Sequence, residues 1–276
     1  MRKDLCIFVN FSKTKIDNYV KVFVDELCRH FEKLLFVTNL EINTEASIYN
    51  NPKIRVLCFK NEGYDFGMFY KSLFFINPGD YDRIVFINDS NMLFNKLDAV
   101  FSWGNKCKAD FWGITDSGQG SPGSFTESTY HIQSHFLVFE RKAIGYLHAF
   151  FSQIGFQNIF DTKMDSNDLR LKIIADCEIG ITQFLLSHNL TADAFFRYKD
   201  FEPAKSHPDP SLINMHIIFW KELIQQGYPF IKKKIVLNDF DPKYVPIECL
   251  PDFSDWEETV RFNMFKEMDF NQIFSK

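Results

Sequence analysis

The chain has 276 residues, enough for one large α/β domain or two small ones. Hydrophobic residues make up 46% and charged residues 24%, a globular balance. The net charge of −5 excludes a general polyanion-binding surface, so nucleic acid is not an expected partner.

The six cysteines, Cys6, Cys28, Cys58, Cys107, Cys177 and Cys249, contain no Cys-x-x-Cys pair. Neither a zinc site nor a redox dithiol is signalled, and reduced thiols in a cytoplasmic protein are expected. The 33 Phe are read as core residues, with a sticky face for a membrane or partner as the other reading. The apolar run after Met1-Arg2-Lys3-Asp4 is too short for a signal peptide, and no stretch of about 18 apolar residues predicts a membrane span.

In chain order, Leu5 to Val9 predicts a buried first strand. Ser12 is placed to cap a helix in which Ile16, Val20, Phe23, Leu27 and Phe31 share one face. Strands follow at Leu34 to Val37 and Ile54 to Phe59. Asp65 then caps a helix that turns Phe66, Phe69, Tyr70, Leu73 and Phe74 inward. Asn77-Pro78-Gly79-Asp80 breaks it, and Ile84 to Ile87 is the fourth strand. This order predicts a mostly parallel sheet with crossover helices, which binds ligands beyond the carboxyl ends of its strands. Asn10, Asn39, Asn61 and Asp89 all fall at such ends and predict one shared cleft.

Beyond it, Ala109 to Ile114 predicts a strand, Thr115 to Tyr130 a mobile loop and Phe136 to Phe139 a short strand. Lys142 to Ile154 and Glu178 to about His188 predict helices, as does Leu212 to Gln226, which Gly227 terminates. Pro229 to Leu237 reads as extended and basic, and Trp256 to Phe270 as a last amphipathic helix. Lys232-Lys233-Lys234 is the only basic run. It reads as a solvated edge or as a peripheral contact with anionic lipid at the cytoplasmic membrane face.

Four segments carry candidate chemistry. Asn88-Asp89-Ser90 ends a buried strand. Asp89 there can hold a divalent cation that bridges two phosphates, although the tripeptide is also good turn chemistry. In Asn61-Glu62-Gly63-Tyr64-Asp65-Phe66-Gly67, the glycines permit close backbone approach at a helix start, or the segment is only a capped helix. Asp176 and Glu178 precede a helical pattern. They serve either the helix dipole or as a general base for an acceptor hydroxyl. In His131-Ile132-Gln133-Ser134-His135, alternation puts Gln133 and His135 on one face, and Trp112 and Asp116 lie just upstream. Polar forks beside aromatic faces suit a sugar.

This ordered set resembles the rhamnan-synthesis F family of bacterial glycosyltransferases. It runs from Asn61–Gly67 through Tyr81-Asp82, Asn88-Asp89-Ser90, Asp110-Phe111-Trp112-Gly113-Ile114-Thr115 and His131–Phe136. It continues with Glu178-Ile179-Gly180 and the stretch from Trp220 through Gly227-Tyr228-Pro229-Phe230-Ile231-Lys232. The resemblance implies a GT-A-like α/β fold. Residues 1–115 would be the nucleotide-sugar-binding half, 116–235 the acceptor and catalytic half, and 236–276 a C-terminal helical extension of a single domain. It also implies assembly of polysaccharide or lipopolysaccharide side chains, with rhamnose or another deoxyhexose as the donor sugar. The acceptor would be a glycan or a lipid-linked glycan. Asn88-Asp89-Ser90 takes the place of the Asp-x-Asp motif with one acid instead of two. Asp89 is therefore expected to position the diphosphate with or without Mg2+ or Mn2+. Asn10, Asn61, Gly63, Asp65, Asn88 and Ser90 would complete the donor site. Glu178, with Asp176 as second choice, would be the base of an inverting reaction. Trp112, Asp116, His131, Gln133, Ser134 and His135 would shape the acceptor pocket, and the Thr115–Tyr130 loop would close over the donor. The alternatives are a non-catalytic glycan- or nucleotide-binding module and a retaining transferase.

Overall fold

A computed structural model describes residues 2–40, 47–120, 128–160, 166–201, 214–240 and 250–274. Its first half alternates strand and helix: β1 (Asp4–Asn10), α1 (Asn18–His30), β2 (Lys33–Thr38), β3 (Ile54–Cys58), α2 (Tyr64–Leu73) and β4 (Arg83–Asn88). These four strands pair in parallel in the order β3-β2-β1-β4. The order reverses at β1, which is the point where a doubly wound sheet opens a crevice. The second half adds β8 (Phe136–Glu140), antiparallel to β4. It is followed by β6 (Phe111–Ser117), with β7 (His131–Ile132) and β9 (Ala192–Phe196) against β6. The α/β class and the helix-flanked sheet expected of a GT-A-like chain are present. The parallel rule holds for the first four strands and for β9, whereas β7 and β8 run antiparallel.

Strand periodicity explains the layers. In β1, Cys6 and Phe8 pack with α1, while Leu5, Ile7 and Val9 pack with α2. Both faces are covered, so the strand reads as a continuous apolar run. Phenylalanine fills both cores: Phe8 stacks on Phe36 on one side and Phe69 on Phe86 on the other. The core reading of the Phe content holds there, but Phe74 turns outward at 64% exposed and Phe262 at 88%.

Several local expectations change. Ser12 does not cap α1; its amide bonds Asn39 Oδ1 and its carbonyl accepts from Asn39 Nδ2. Gly63, not Asp65, precedes the first turn of α2. Residues 131–135 are not one strand, because the chain turns between β7 and β8. Thr115 to Ser117 continue β6, and the centre of the expected loop, 121–127, lies outside the described residues. The Leu212–Gln226 helix is two short helices, Met215–Ile218 and Trp220–Gln225, with 212 and 213 outside the described residues. The last helix divides into Trp256–Asn263 and Phe270–Phe274, and the latter packs on α1.

Two differences matter for the site. Residues 166–187 form one helical run. Ser166–Ile173 passes into a π-helical turn, Ile174–Ile179, and on into Gly180–Ser187. Asp176 and Glu178 therefore sit inside a helix, not at its start, so the dipole reading of both acids falls away. Second, Pro229–Leu237 is not an extended edge. Phe230–Lys232 forms β10, a two-stranded antiparallel ribbon with β5 (Asn91–Leu93) in which Lys232 lies opposite Asn91, and Lys233–Leu237 is helical. The basic run is thereby placed beside Asn88-Asp89-Ser90.

Candidate active site

β1 and β4 end side by side, with Val9 opposite Asn88. Asn10 and Asp89 continue these strands, and the Asp89 amide bonds the Val9 carbonyl at 3.2 Å. Three side-chain donors converge on Asp89 Oδ2: Asn10 Nδ2 at 2.8 Å, the Tyr19 hydroxyl at 3.0 Å and Lys233 Nζ at 3.5 Å. The Phe11 amide also bonds this carboxylate. Burial pushes the Asp89 carboxyl above the usual range, and Lys233 opposes it most. Lys233 Nζ also donates to Tyr19 at 2.5 Å, and its amide bonds the Ser90 carbonyl at 3.1 Å.

Asn88 Nδ2 reaches across to Asp65 Oδ2 at 2.7 Å, while Asn88 Oδ1 accepts the Ser90 amide at 3.1 Å. The tripeptide is thus a turn whose Asn88 side chain also ties the end of β4 to the start of α2. Burial, with the charges of Asp89 and Glu178, pushes the Asp65 carboxyl up to about 7; Lys232 and the Asn88 bond resist. Burial pulls Lys232 down to about 8, while Glu178 and Asp65 support its charge. Glu178 Oε1 accepts the Ser134 amide at 3.2 Å. Five charged side chains from four parts of the sequence therefore share one field: Asp65, Asp89, Glu178, Lys232 and Lys233. Such convergence of charged groups, with Asp65, Asp89 and Lys232 shifted by burial, marks a candidate catalytic site.

The other expected residues divide. Gly63 has φ +71°, and a Cβ there would lie 2.8 Å from the Phe156 ring; its glycine character serves the turn and helix packing. Asn61 is partly buried in that same turn. Gln133 and His135 stand in a buried network. Thr115 Oγ1 donates to Gln133 Oε1 at 2.9 Å and meets His216 Nε2 at 2.8 Å. The Tyr228 hydroxyl lies 3.1 Å from both His216 Nε2 and His135 Nε2. Burial holds both imidazoles well below their ordinary pKa, hence neutral.

Trp112 is corrected. It is 0% exposed, its indole donates to Glu140 and its ring meets the Arg83 guanidinium, which leaves no face for a sugar. Asp116 accepts the Tyr198 amide at 2.6 Å, and burial pushes its carboxyl up to about 6. His131 is buried against the Thr129 carbonyl. Asp176 pairs with Lys172 and lines a separate cleft with Gly180, Gln183 and Ser187, so it does not join Glu178. Sequence reasoning missed Tyr19, Lys232 and Lys233 as site residues. The one available signal was a basic run in an acidic chain.

Residues 34–257 match the family described as RgpF, rhamnan synthesis protein F. The chain belongs to this family. It is the family of glycosyltransferases that the ordered motifs resembled. The matched span of RgpF contains Asp65, Asn88–Ser90, Ser134, Glu178 and Lys232–Lys233, whereas Asn10 and Tyr19 precede it. The virulence protein VirA of Vibrio anguillarum is 24% identical over 242 residues, covering 78% of this chain and 70% of that protein. Among solved structures, the glycosyltransferase GlyE of Streptococcus pneumoniae TIGR4 gives a TM-score of 0.48 at 12% identity, over 99% of this chain and 62% of that one. A putative glucose-1-phosphate thymidylyltransferase from Bacillus anthracis gives 0.43 at 12% identity, over 69% and 86%.

A hard divalent cation wants a cradle of free oxygens. In this RgpF-family chain the strand end offers one acid, already met by Asn10, Tyr19, Lys233 and the Phe11 amide. Asn88 Oδ1 is held by the Ser90 amide, and Asp65 Oδ2 by Asn88. Among the described residues Asn10 Oδ1 is left free, but one neutral oxygen beside a carboxylate whose Oδ2 is already taken up is a poor cradle for Mg2+ or Mn2+. Among the described residues, the grouping of three ligand-type side chains that could hold a metal is Glu26, His30 and Asp98, on other elements. There Glu26 accepts from Arg29, Lys96 and the Leu97 amide.

Proposed function

We propose that this chain is an inverting glycosyltransferase. It moves rhamnose or another deoxyhexose from a nucleotide sugar to a cell-surface polysaccharide or lipopolysaccharide under assembly. The observation that carries the reading is Glu178, a carboxylate on a π-helical turn, oriented by the Ser134 amide and coupled to Asp65 and Lys232 at the strand ends. π turns within helices recur at functional sites because they re-aim side chains.

The donor lies across the ends of β1 and β4, with its diphosphate at Asn10, Asn88 and Asp89. Among the described residues Asn10 Oδ1 is buried without a partner, an acceptor for a donor hydroxyl or a water. The acceptor hydroxyl gives its proton to the Glu178 carboxylate as its oxygen forms the new bond to the anomeric carbon. The bond from that carbon to the diphosphate oxygen breaks, and the electron pair leaves with the phosphate. Base and leaving group on opposite faces of the sugar give inversion. A positioned base contributes roughly 10²–10⁴-fold to such a step. Ser134 positions the base, and Gln133 and His135 support that turn from behind.

No helix among the described residues is long and apolar enough to cross a membrane. A lipid-linked glycan acceptor would therefore be met at a membrane surface. The inward-turned Lys232 and Lys233 are not the contact, since they face the site.

A thermal-shift screen of nucleotide sugars at millimolar concentration, followed by NMR of the product anomer, tests the reading. The expected result is stabilisation by one donor class and an inverted product. A retained anomer removes Glu178 from the base role and favours a retaining transferase. Glycan or nucleotide binding without turnover across the panel favours a binding module.

A further inference from the structure

We propose that Lys232 and Lys233, delivered by the β5–β10 ribbon, are the groups that neutralise the donor diphosphate, so that this site works without a divalent cation. The inference rests on the donor site proposed above and names the chemistry of its phosphate-binding part.

The ribbon decides the placement. Lys232 pairs with Asn91, and the Lys233 amide bonds the Ser90 carbonyl, so the main chain of both lysines is pinned to the turn that ends β4. At the end of a strand, successive side chains diverge. Lys232 enters the field of Asp65 and Glu178, while Lys233 reaches Asp89 and Tyr19. The two cations bracket Asn88-Asp89-Ser90, the place where a diphosphate must lie if the strand ends hold the donor.

The donors around Asp89 point the same way. A carboxylate that holds a metal presents its oxygens to the ion, whereas Asp89 gives its Oδ2 to an amide, a phenol and an ammonium. Asp89 then acts as an anchor that aims Lys233 and Tyr19. Lysine is an established phosphate partner as a point charge. Two ammonium groups can offset the two negative charges of a diphosphate bridge and stabilise the charge that grows on the departing oxygen. A partly buried Lys232 and Lys233 have lost some water and recover that loss by pairing with an anion.

Calorimetric titration with UDP, GDP and dTDP, each in EDTA and again in millimolar Mn2+, tests the proposal. The expected result is that the preferred nucleotide binds the wild-type protein equally, within about two-fold, in both buffers. Lys232→Met and Lys233→Met should each weaken it by ten-fold or more, without recovery in Mn2+. Because Lys233→Met leaves Asp89 with less compensation, the pair Asp89→Asn with Lys233→Met serves as the folded control, and it too should bind weakly. Binding that disappears in EDTA and returns with Mn2+ overturns the proposal, as do lysine variants that bind like the wild type. Both outcomes leave the transferase reading standing. Failure of the wild type to bind any nucleotide in either buffer overturns the donor site itself.

Discussion

Asp65 shows how a residue reads differently alone and in place. In the sequence it is an acid in a first helical turn, and a capping role is the natural expectation. In the structure it is partly buried, shares a field with two other carboxylates and holds Asn88. Its folded pKa of about 7 lies above the ordinary 3.8, so the folded state holds the proton more tightly than the unfolded chain. That stability is fully present below about pH 4 and is lost as pH rises through 7. Removing the carboxylate should therefore stabilise the fold above pH 7 and do little near pH 4. Asp65→Asn keeps an acceptor for Asn88, and a gain of about 1–3 kcal/mol at pH 8 is expected, because Lys232 loses a partner in exchange. Chemical denaturation at pH 8 and at the lowest pH where both proteins stay folded checks this. Equal destabilisation at both values contradicts it. Glu178 was legible from the sequence as a candidate base, with Asp176 two positions away as second choice. The helical turn sends Asp176 to Lys172 and Glu178 to the Ser134 amide.

Among the elements, strands and helices that bury one continuous stripe were legible, while those set by distant partners were not. β1, β2, β3 and β4 announce themselves as short apolar runs. The 166–187 helix carried its signal at four-residue spacing, Ile173, Cys177, Ile181 and Leu185, all buried. The two acids in its middle disguised it as a helix start. β5 and β10 have three residues each and make sense only as a pair, Asn91–Leu93 against Phe230–Lys232, far apart in the chain, which no local pattern encodes. The α2 turn shows how tightly an element can be specified. A Cβ on Gly67 would fall 1.7 Å from the Glu62 carbonyl oxygen, so the backbone must move to admit it. Gly67→Ala should cost on the order of 2 kcal/mol or more, as overpacking against main chain does. Gly145 has φ −59°, and a Cβ there would meet only the Lys142 carbonyl at 3.4 Å. Gly145→Ala should be neutral or stabilise by about 0.4–1 kcal/mol through the unfolded chain. Urea midpoints of the two variants give the comparison, and a smaller loss at Gly67 than at Gly145 contradicts it.

At the scale of the whole molecule, the site is a joint between the two halves of the sequence. The first supplies Asn10, Tyr19, Asp65, Asn88 and Asp89 at a sheet switch point. The second supplies Ser134 and Glu178 beside it, and the ribbon returns Lys232 and Lys233. The buried chain from Gln133 through Thr115, His216 and Tyr228 to His135 ties β6 and the β7–β8 turn to the segment that leads into the ribbon. The order of motifs was enough to recognise the family, because order survives where single motifs are weak. The identity of the phosphate-binding cations was not legible, because a basic run looks the same on a solvated edge as against a buried acid. If the two halves divide the labour, donor binding belongs to the strand ends and the ribbon, and proton removal to Glu178. The most direct test is the turnover of Glu178→Gln with the donor that the screen selects, measured together with its nucleotide affinity. The account predicts a loss of transfer of about 10²–10⁴-fold with affinity within a few fold of the wild type. Near-normal transfer by Glu178→Gln would contradict it.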